Sequence, residues 1–354
     1  MSGGRAYFSE SYSAARARFL AAARARAAVL HALALEARAP DGAALTIDIA
    51  WIGSPQPRRI LLHSSGLHGV EGFAGSAIQL AVLDNPPPVP KQAALVLVHI
   101  LNPYGMAWLR RANENNVDLN RNFLVGQERA VGASEAYRRL NGFLNPASPP
   151  ARDLFHVRAA WLALRHGPRH LKQAIAEGQY EHPRGIFFGG HGLEKGPSLY
   201  TAWIRAHLGS VEQGFAIDVH TGLGRWCQES LFVRRGAADA AGLSRTLGRR
   251  VTADAAEAGV GYQVRGGYSG AFDVLEHRPQ IHAVTQEFGT YPSLRVLHAL
   301  REENRWHHYG RATIDHPSKA RMKEIFAPRS TEWREFVIER GVSLVRTATE
   351  HVLV

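Results

Sequence analysis

The spacing of apolar and polar positions changes period several times along the chain. SAARARFLAAARARAAVLHALALEARA (13–39) is built from alanine, leucine and arginine, strong helix formers, and predicts one long surface helix with a single apolar face. LTIDIAWIG (45–53) alternates β-branched and apolar residues and predicts a strand, and RRILLHSSG (58–66) predicts a second. AGSAIQLAVL (74–83) is helical in composition. DNPPPVPKQ (84–92) ends it, since proline cannot continue a helix. AALVLVHILNPYG (93–105) is an unbroken apolar run that stops at Asn-Pro and Gly, the pattern of a strand buried on both faces.

From about 124 to 205 the pattern becomes helical, in ASEAYRRLNGFL, ARDLFHVRAAWLALRHG and RHLKQAIAEGQY. It then breaks into the glycine-rich EHPRGIFFGGHGLEKGP (181–197). This reads as a helical insertion with an irregular loop, a lid or pocket wall. Strands return at 214–222, 229–235 and 281–290, with a helix over 237–259 between them. Helical pieces from 295 to 354 close the chain. Strand and helix alternate without a linker-like break. That predicts one α/β domain over 1–354, with helices on both faces of a mixed or parallel sheet.

Composition narrows the class. A chain of 354 residues that is 45% hydrophobic can bury a sizeable core, yet it holds no apolar run near the roughly 20 residues of a membrane helix. The first residues lack the apolar stretch of a secretory signal. The single cysteine, Cys227, excludes an internal disulfide and a cysteine-built zinc site. Both point to the cytoplasm. The balance of 42 Lys+Arg against 31 Asp+Glu gives +11, mostly arginine spread along the chain. Without a zinc-finger spacing or aromatic ribonucleoprotein motif, that charge suits anionic small substrates better than nucleic acid.

The chemistry gathers where strands end. HSSGLHGVEGFAGSA (63–77) sets His68 and Glu71 three residues apart between glycines, which let backbone and ligand come close. IDVHTG ends a later strand in His220, and TQEFGT ends the last in Glu287. Two histidines and one carboxylate form a ligand set for catalytic zinc, with a fourth position for water. In this reading His68, Glu71 and His220 hold one Zn2+ per chain. Glu287 is then the second carboxylate, moving a proton from attacking water to the leaving group. Asp118, and Asp218 two residues before His220 on the same strand face, are candidates to accept the second ring N–H of a ligand histidine. Arg110 or Arg111 supplies charge for an oxyanion, the other being solvated. Asn120 and Arg121 suit a substrate carboxylate, which arginine pairs in bidentate fashion.

His68-x-x-Glu71, the arginine ahead of Asp118-Leu-Asn120-Arg121-Asn-Phe, Asp-Val-His220-Thr-Gly and Gln-Glu287-Phe-Gly-Thr follow one another in this order. Together they resemble the zinc carboxypeptidase superfamily, including its succinylglutamate desuccinylase and aspartoacylase branch. YSAARARFLAAA, NPYG, NNVDLNRNF and ENRWHHYG bring the likeness closest to a bacterial domain-of-unknown-function family within it, over about 7–310. The resemblance implies a three-layer α/β/α fold around a mixed, largely parallel central sheet. It implies zinc on His68, Glu71 and His220, Glu287 as general acid/base and Arg111 as electrophile. It implies Asn120 with Arg121 on a free carboxylate, and Asp118 behind a ligand histidine. Tyr268 is the nearest candidate for the tyrosine that closes over substrate in secreted relatives, and Phe272 for a side-chain pocket. The substrate expected is a small peptide or an N-acyl amino acid.

Other readings stay bland or rival. His63 and His99 fall within apolar strands and read as core, His191 as a loop residue, and the adjacent His307 and His308 as packing or surface. Gly267-Tyr-Ser269-Gly-Ala nearly matches a nucleophile elbow, so a serine hydrolase is the rival enzyme; a non-catalytic binding protein is the other alternative.

Overall fold

The structure, a computed structural model, describes residues 3–124, 131–233, 239–253 and 266–353. Its centre is an eight-stranded mixed sheet in the order β1-β2-β4-β3-β5-β8-β6-β7. The strands are β1 (Val29–Arg38), β2 (Ala44–Gly53), β3 (Arg59–Ser65), β4 (Ala93–His99), β5 (Gln213–Thr221), β6 (Glu229–Val233), β7 (Val251–Ala253) and β8 (Gln280–Phe288). The central run β4-β3-β5-β8 is parallel, while β1-β2-β4 and β6-β8 pair antiparallel.

Because β3, β4 and β5 are buried on both faces, their side chains divide by period 2 into two cores. Leu61, Leu95, Leu97, Ile217 and Val219 pack with α1 (Tyr12–Ala25), α2 (Gly72–Asp84) and α11 (Thr331–Ala348). Leu62, Val96, Val98 and Ala216 face α7 (Lys195–His207) through Tyr200, Trp203 and Ile204. The remaining helices are α3 (Pro103–Ala107), α4 (Glu135–Leu144), α5 (Phe155–His166), α6 (Pro168–Ala176), α8 (Ala240–Leu247), α9 (Ser293–Tyr309) and α10 (Pro317–Phe326). Helices α4 and α5 share an apolar cluster with Ile186, against which Leu171 and Ile175 of α6 and Leu297 of α9 pack. No helix among the described residues is long and apolar enough to cross a membrane.

Two predicted helices are shorter than their composition suggests. Residues 13–39 split into α1 and the edge strand β1. Ala27 takes φ 53°, and its neighbour's N–H caps Ala23, which closes the helix. Beyond it His31, Leu33, Leu35 and Ala37 point inward and alternate residues outward, and the ladder to β2 outweighs helix propensity. The helix over 237–259 stops at Leu247, where Gly248 adopts a left-handed φ of 59°, and Val251–Ala253 forms β7 instead. Residues 234–235 of the predicted strand, 237–238 and 254–259 of the predicted helix, and 125–130 of the insertion lie outside the described residues.

Candidate metal centre

Three parallel strands, β3, β5 and β8, deliver their C-terminal ends to one edge of the sheet, the place where such folds hold ligands. After β3 the chain turns through Gly66 and reaches His68. A single 3-10 turn, Gly69–Glu71, then leads into α2. The turn fits because Gly69 lies against Gly105: a Cβ there would stand 2.2 Å from the Gly105 carbonyl carbon. Its backbone is tied to the arginine segment, Val70 N–H donating to the Arg110 carbonyl at 2.8 Å. On the neighbouring strands His220 and Glu287 are direct register partners.

These elements bring His68, Glu71 and His220 together, all buried, with one ligand atom from each within 4.8 Å of the others. Glu71 lies between the rings: Oε1 is 3.0 Å from His68 Nδ1, and Oε2 is 3.2 Å from His220 Nδ1. The two Nδ1 atoms are 3.0 Å apart. Each ring turns its other nitrogen to a buried carboxylate. His220 Nε2 is 2.6 Å from Asp218 Oδ2, and His68 Nε2 is 3.1 Å from Asp118 Oδ1. A carboxylate behind each imidazole fixes the proton on Nε2 and leaves the Nδ1 lone pair for a cation. Two imidazole nitrogens and one carboxylate oxygen are a donor set that fits zinc.

The charges follow from this packing. Burial pushes the Glu71 carboxyl up, but His68 and His220 beside it hold it well below the usual range. Burial also acts against Asp118, and Arg111, Arg121 and His68 outweigh it and hold that group well down. Glu287 goes the other way: burial first, then the negative charge of Glu71, push it up to about 8. Its Oε1 accepts the Leu223 N–H at 2.8 Å.

The two arginines separate completely. Arg111 lies over the cluster, donating from Nε to Asp118 Oδ2 at 3.0 Å and from Nη1 to Glu71 Oε1 at 3.1 Å. Its Nη2 also sits 2.7 Å from His68 Nε2. An imidazole that gives Nδ1 to a metal must donate from Nε2, so Asp118 is the compatible partner in that state. Arg110 is not solvated, as the sequence suggested for the second arginine. It is fully buried on the far side, donating to Glu303 at 2.9 Å and to Asn116 at 2.7 Å, with Lys319 also on Glu303 at 2.6 Å. The driving force is a buried acid that needs two cations.

A cavity of about 750 Å3 opens over the cluster. Asn120, Arg111, Tyr268, Ser269 and Glu287 line it. Arg121 does not: it is fully buried, packed beneath Gly178, with Nη1 4.0 Å from Asp118. The structure thus places it behind Asp118 rather than on the cavity wall. Tyr268 is buried as well, its hydroxyl 2.9 Å from that of Tyr200 and its N–H donating to Asn120 Oδ1. Phe272 packs edge-on against Tyr268. Ser269 lies on a 3-10 turn, Tyr268–Val274, not at the head of an α-helix as an elbow requires; residues 262–265 ahead of it lie outside the described residues. His63 and His99 are core, the first beside Gln79 and the second stacked on Phe19. Burial lowers them to about 4 and about 3. His307 and His308 are half-buried, and His191 is exposed on its loop.

One wall residue escaped the sequence reading. Lys172 of α6 lines the cavity, and burial lowers its pKa against the opposing charge of Glu287. Nothing local in RHLKQAIAEG distinguishes it from a solvated helix lysine; only the packing of α6 over the site does.

The family model described as "Protein of unknown function (DUF2817)" matches residues 8–340. A sequence comparison with curated proteins finds no match. Among solved structures the chain is similar to thrombin activatable fibrinolysis inhibitor, at 11% identity and a TM-score of 0.53, covering 96% of this chain and 74% of that one. It is similar to the bovine form of that protein in complex with tick carboxypeptidase inhibitor, at 10% identity and a TM-score of 0.50, covering 97% of each. Carboxypeptidase A from Helicoverpa armigera follows at 13% identity and a TM-score of 0.45, covering 91% of this chain and 75% of that one. With the first two the chain shares the carboxypeptidase-like α/β architecture, a mixed sheet flanked by helices.

Proposed function

The chain belongs to the DUF2817 family and carries a carboxypeptidase-like α/β fold, and on that premise we propose that it is a zinc-dependent hydrolase that cleaves an amide bond next to a free carboxylate. One observation carries the reading: His68 and His220 turn Nδ1 toward Glu71 and rest Nε2 on buried carboxylates, with Glu287 beside them. Zinc held by these three side chains would polarise a carbonyl and make water acidic enough to attack near neutral pH.

The chain's own groups then divide the work. Glu287 lines the cavity beside His220, its register partner on the neighbouring strand, in the position a proton carrier needs. It takes the proton of the attacking water and returns it to the departing nitrogen. Arg111, on the wall of the cavity, meets the negative charge that develops on the carbonyl oxygen. Asn120 orients substrate from the same wall, and Asp118 and Asp218 hold the imidazoles in the required tautomer. Arg121 backs Asp118 electrostatically.

The test is elemental analysis of protein purified without chelator or histidine tag, followed by a panel of peptides varied at the C-terminal residue and of N-acyl amino acids. About one zinc per chain, lost in a His68→Ala/His220→Ala protein, together with amide cleavage that chelation stops, supports the proposal. A folded protein that takes up no zinc when it is added back overturns it. Preference for peptides or for acyl amino acids separates a carboxypeptidase from a deacylase.

A further inference from the structure

Helix α5 is apolar on two opposite faces. Phe155 and Ala159 pack inward with α4, and Leu162 lies against that cluster. Ala159, Ala160, Leu162 and Ala163 also line the cavity. The other face carries Leu154 at the N-cap, then Val157, Trp161 and Leu164, which are 68%, 64%, 55% and 88% exposed. Steps of three, four and three residues set these four in one row along the helix. None of them lines the cavity. Apolar side chains scattered singly over a surface need no partner, but a contiguous row marks a contact.

Charge and area decide what covers the row. Residues 155–176 hold three arginines and one lysine and no Asp or Glu. Asp153, just ahead of the helix, is paired with Arg301 and Arg305. Arg158 and Arg165 stand four residues after Leu154 and Trp161, and so flank the row along one edge. Both are exposed. Arg165 lies over the Trp161 ring at 5.2 Å, and Arg158 over the Phe143 ring at 5.4 Å. A second copy docked helix to helix would bring these cations together with no acid on either helix to pair them. Four side chains also fall short of the roughly 800 Å2 that each partner of a stable dimer buries. An anionic lipid surface needs no such area. It takes Leu and Trp into the boundary between headgroups and acyl chains, and it attracts arginine to the phosphates.

We propose that α5 is a membrane-surface contact: Leu154, Val157, Trp161 and Leu164 enter the interface of an anionic bilayer, with Arg158 and Arg165 at the lipid phosphates. The helix lies on the surface and does not cross it. Its inner face stays on the cavity, so docking sets one cavity wall beside the lipid. The inference stands apart from the hydrolase reading and survives or fails without it.

The experiment is flotation of the full chain with vesicles of phosphatidylglycerol and phosphatidylcholine, beside vesicles of phosphatidylcholine alone. The mixed vesicles carry the protein at low salt, and binding weakens as salt rises or anionic lipid is withdrawn. Trp161→Ala and Leu164→Ser each lower the partition coefficient about 10- to 100-fold. The double change Arg158→Gln/Arg165→Gln lowers it about 30-fold. Arg245→Gln/Arg346→Gln, which removes the same charge from exposed positions on α8 and α11, leaves it near wild type. Equal melting temperatures show that all the variants are folded. No vesicle binding, binding indifferent to anionic lipid, or binding that the α5 changes leave intact overturns the proposal. Sedimentation velocity tests the other occupant: a dimer that Trp161→Ala dissociates, with no vesicle binding, gives the row to a second copy and overturns it as well.

Discussion

Asp218→Asn isolates the part of the site that geometry specifies most sharply. Asp218 is fully buried; its Oδ2 lies 2.6 Å from His220 Nε2 and its Oδ1 accepts the Ser64 hydroxyl at 2.7 Å. Asparagine keeps the volume but holds only one acceptor oxygen. If that oxygen stays on Ser64, an NH2 group faces the His220 Nε2–H, donor against donor. The imidazole then moves its proton to Nδ1, the atom a metal needs. Loss of a carboxylate behind a ligand histidine lowers metal affinity by about 10- to 100-fold, or ~1.4–2.8 kcal/mol. Asp118→Asn falls at the lower end, because its 3.1 Å contact with His68 is longer and Arg111 shares the carboxylate. Ser64→Ala leaves the Asp218–His220 contact in place and serves as the control. Competition titration against a chromophoric zinc chelator, at fixed pH and salt, reads these variants beside wild type and His220→Ala. Equal affinity of Asp218→Asn and wild type, with His220→Ala losing the metal, would refute the claim that Asp218 sets the ring.

Three further outcomes follow from the same structure. Glu287→Gln keeps its zinc and loses about 10^2- to 10^4-fold in kcat; rates like wild type would take Glu287 out of proton transfer. Glu303 titrates in a window set by its partners: burial pushes it up, but Arg110 and Lys319 hold it at about 2 against an ordinary 4.5. A depressed carboxyl stabilises the fold above its unfolded pKa and loses that contribution as pH falls through the folded value. The shift corresponds to ~3 kcal/mol, lost between about pH 5 and pH 2. Urea unfolding of Glu303→Gln has a flatter acid limb than wild type, and identical limbs would disprove the linkage. Gly69→Ala forces apart two backbones whose approach admits no Cβ, at ~1–3 kcal/mol. Thermal melts with and without zinc show a lower Tm and a smaller zinc-induced rise, since His68 shifts with the turn; an unchanged zinc-induced rise would mean that His68 holds its place.

The chain's local pattern determined more of the site than of the sheet's edges. His68, Glu71, His220 and Glu287 stand at strand ends, and a strand end next to glycine is visible in sequence because apolar periodicity stops there. Of the central strands β4 was legible for the same reason, being buried on both faces and so almost continuously apolar. Asp218 could be placed by counting two residues back along a strand. What the sequence could not hold is anything set by partners far along the chain. Residues 29–38 have helix-forming composition and became β1 because β2 offered a ladder. Arg110 and Arg111 are adjacent and chemically alike, yet one turns to Glu303 on α9 and the other to Glu71 on the turn before α2. Arg121 carries the right chemistry for a carboxylate but is packed under Gly178, and Lys172, anonymous in its helix, lines the cavity. Residue type and period act over one or two turns of chain. Which charge faces which partner is decided by contacts between distant segments, and only the folded chain makes them.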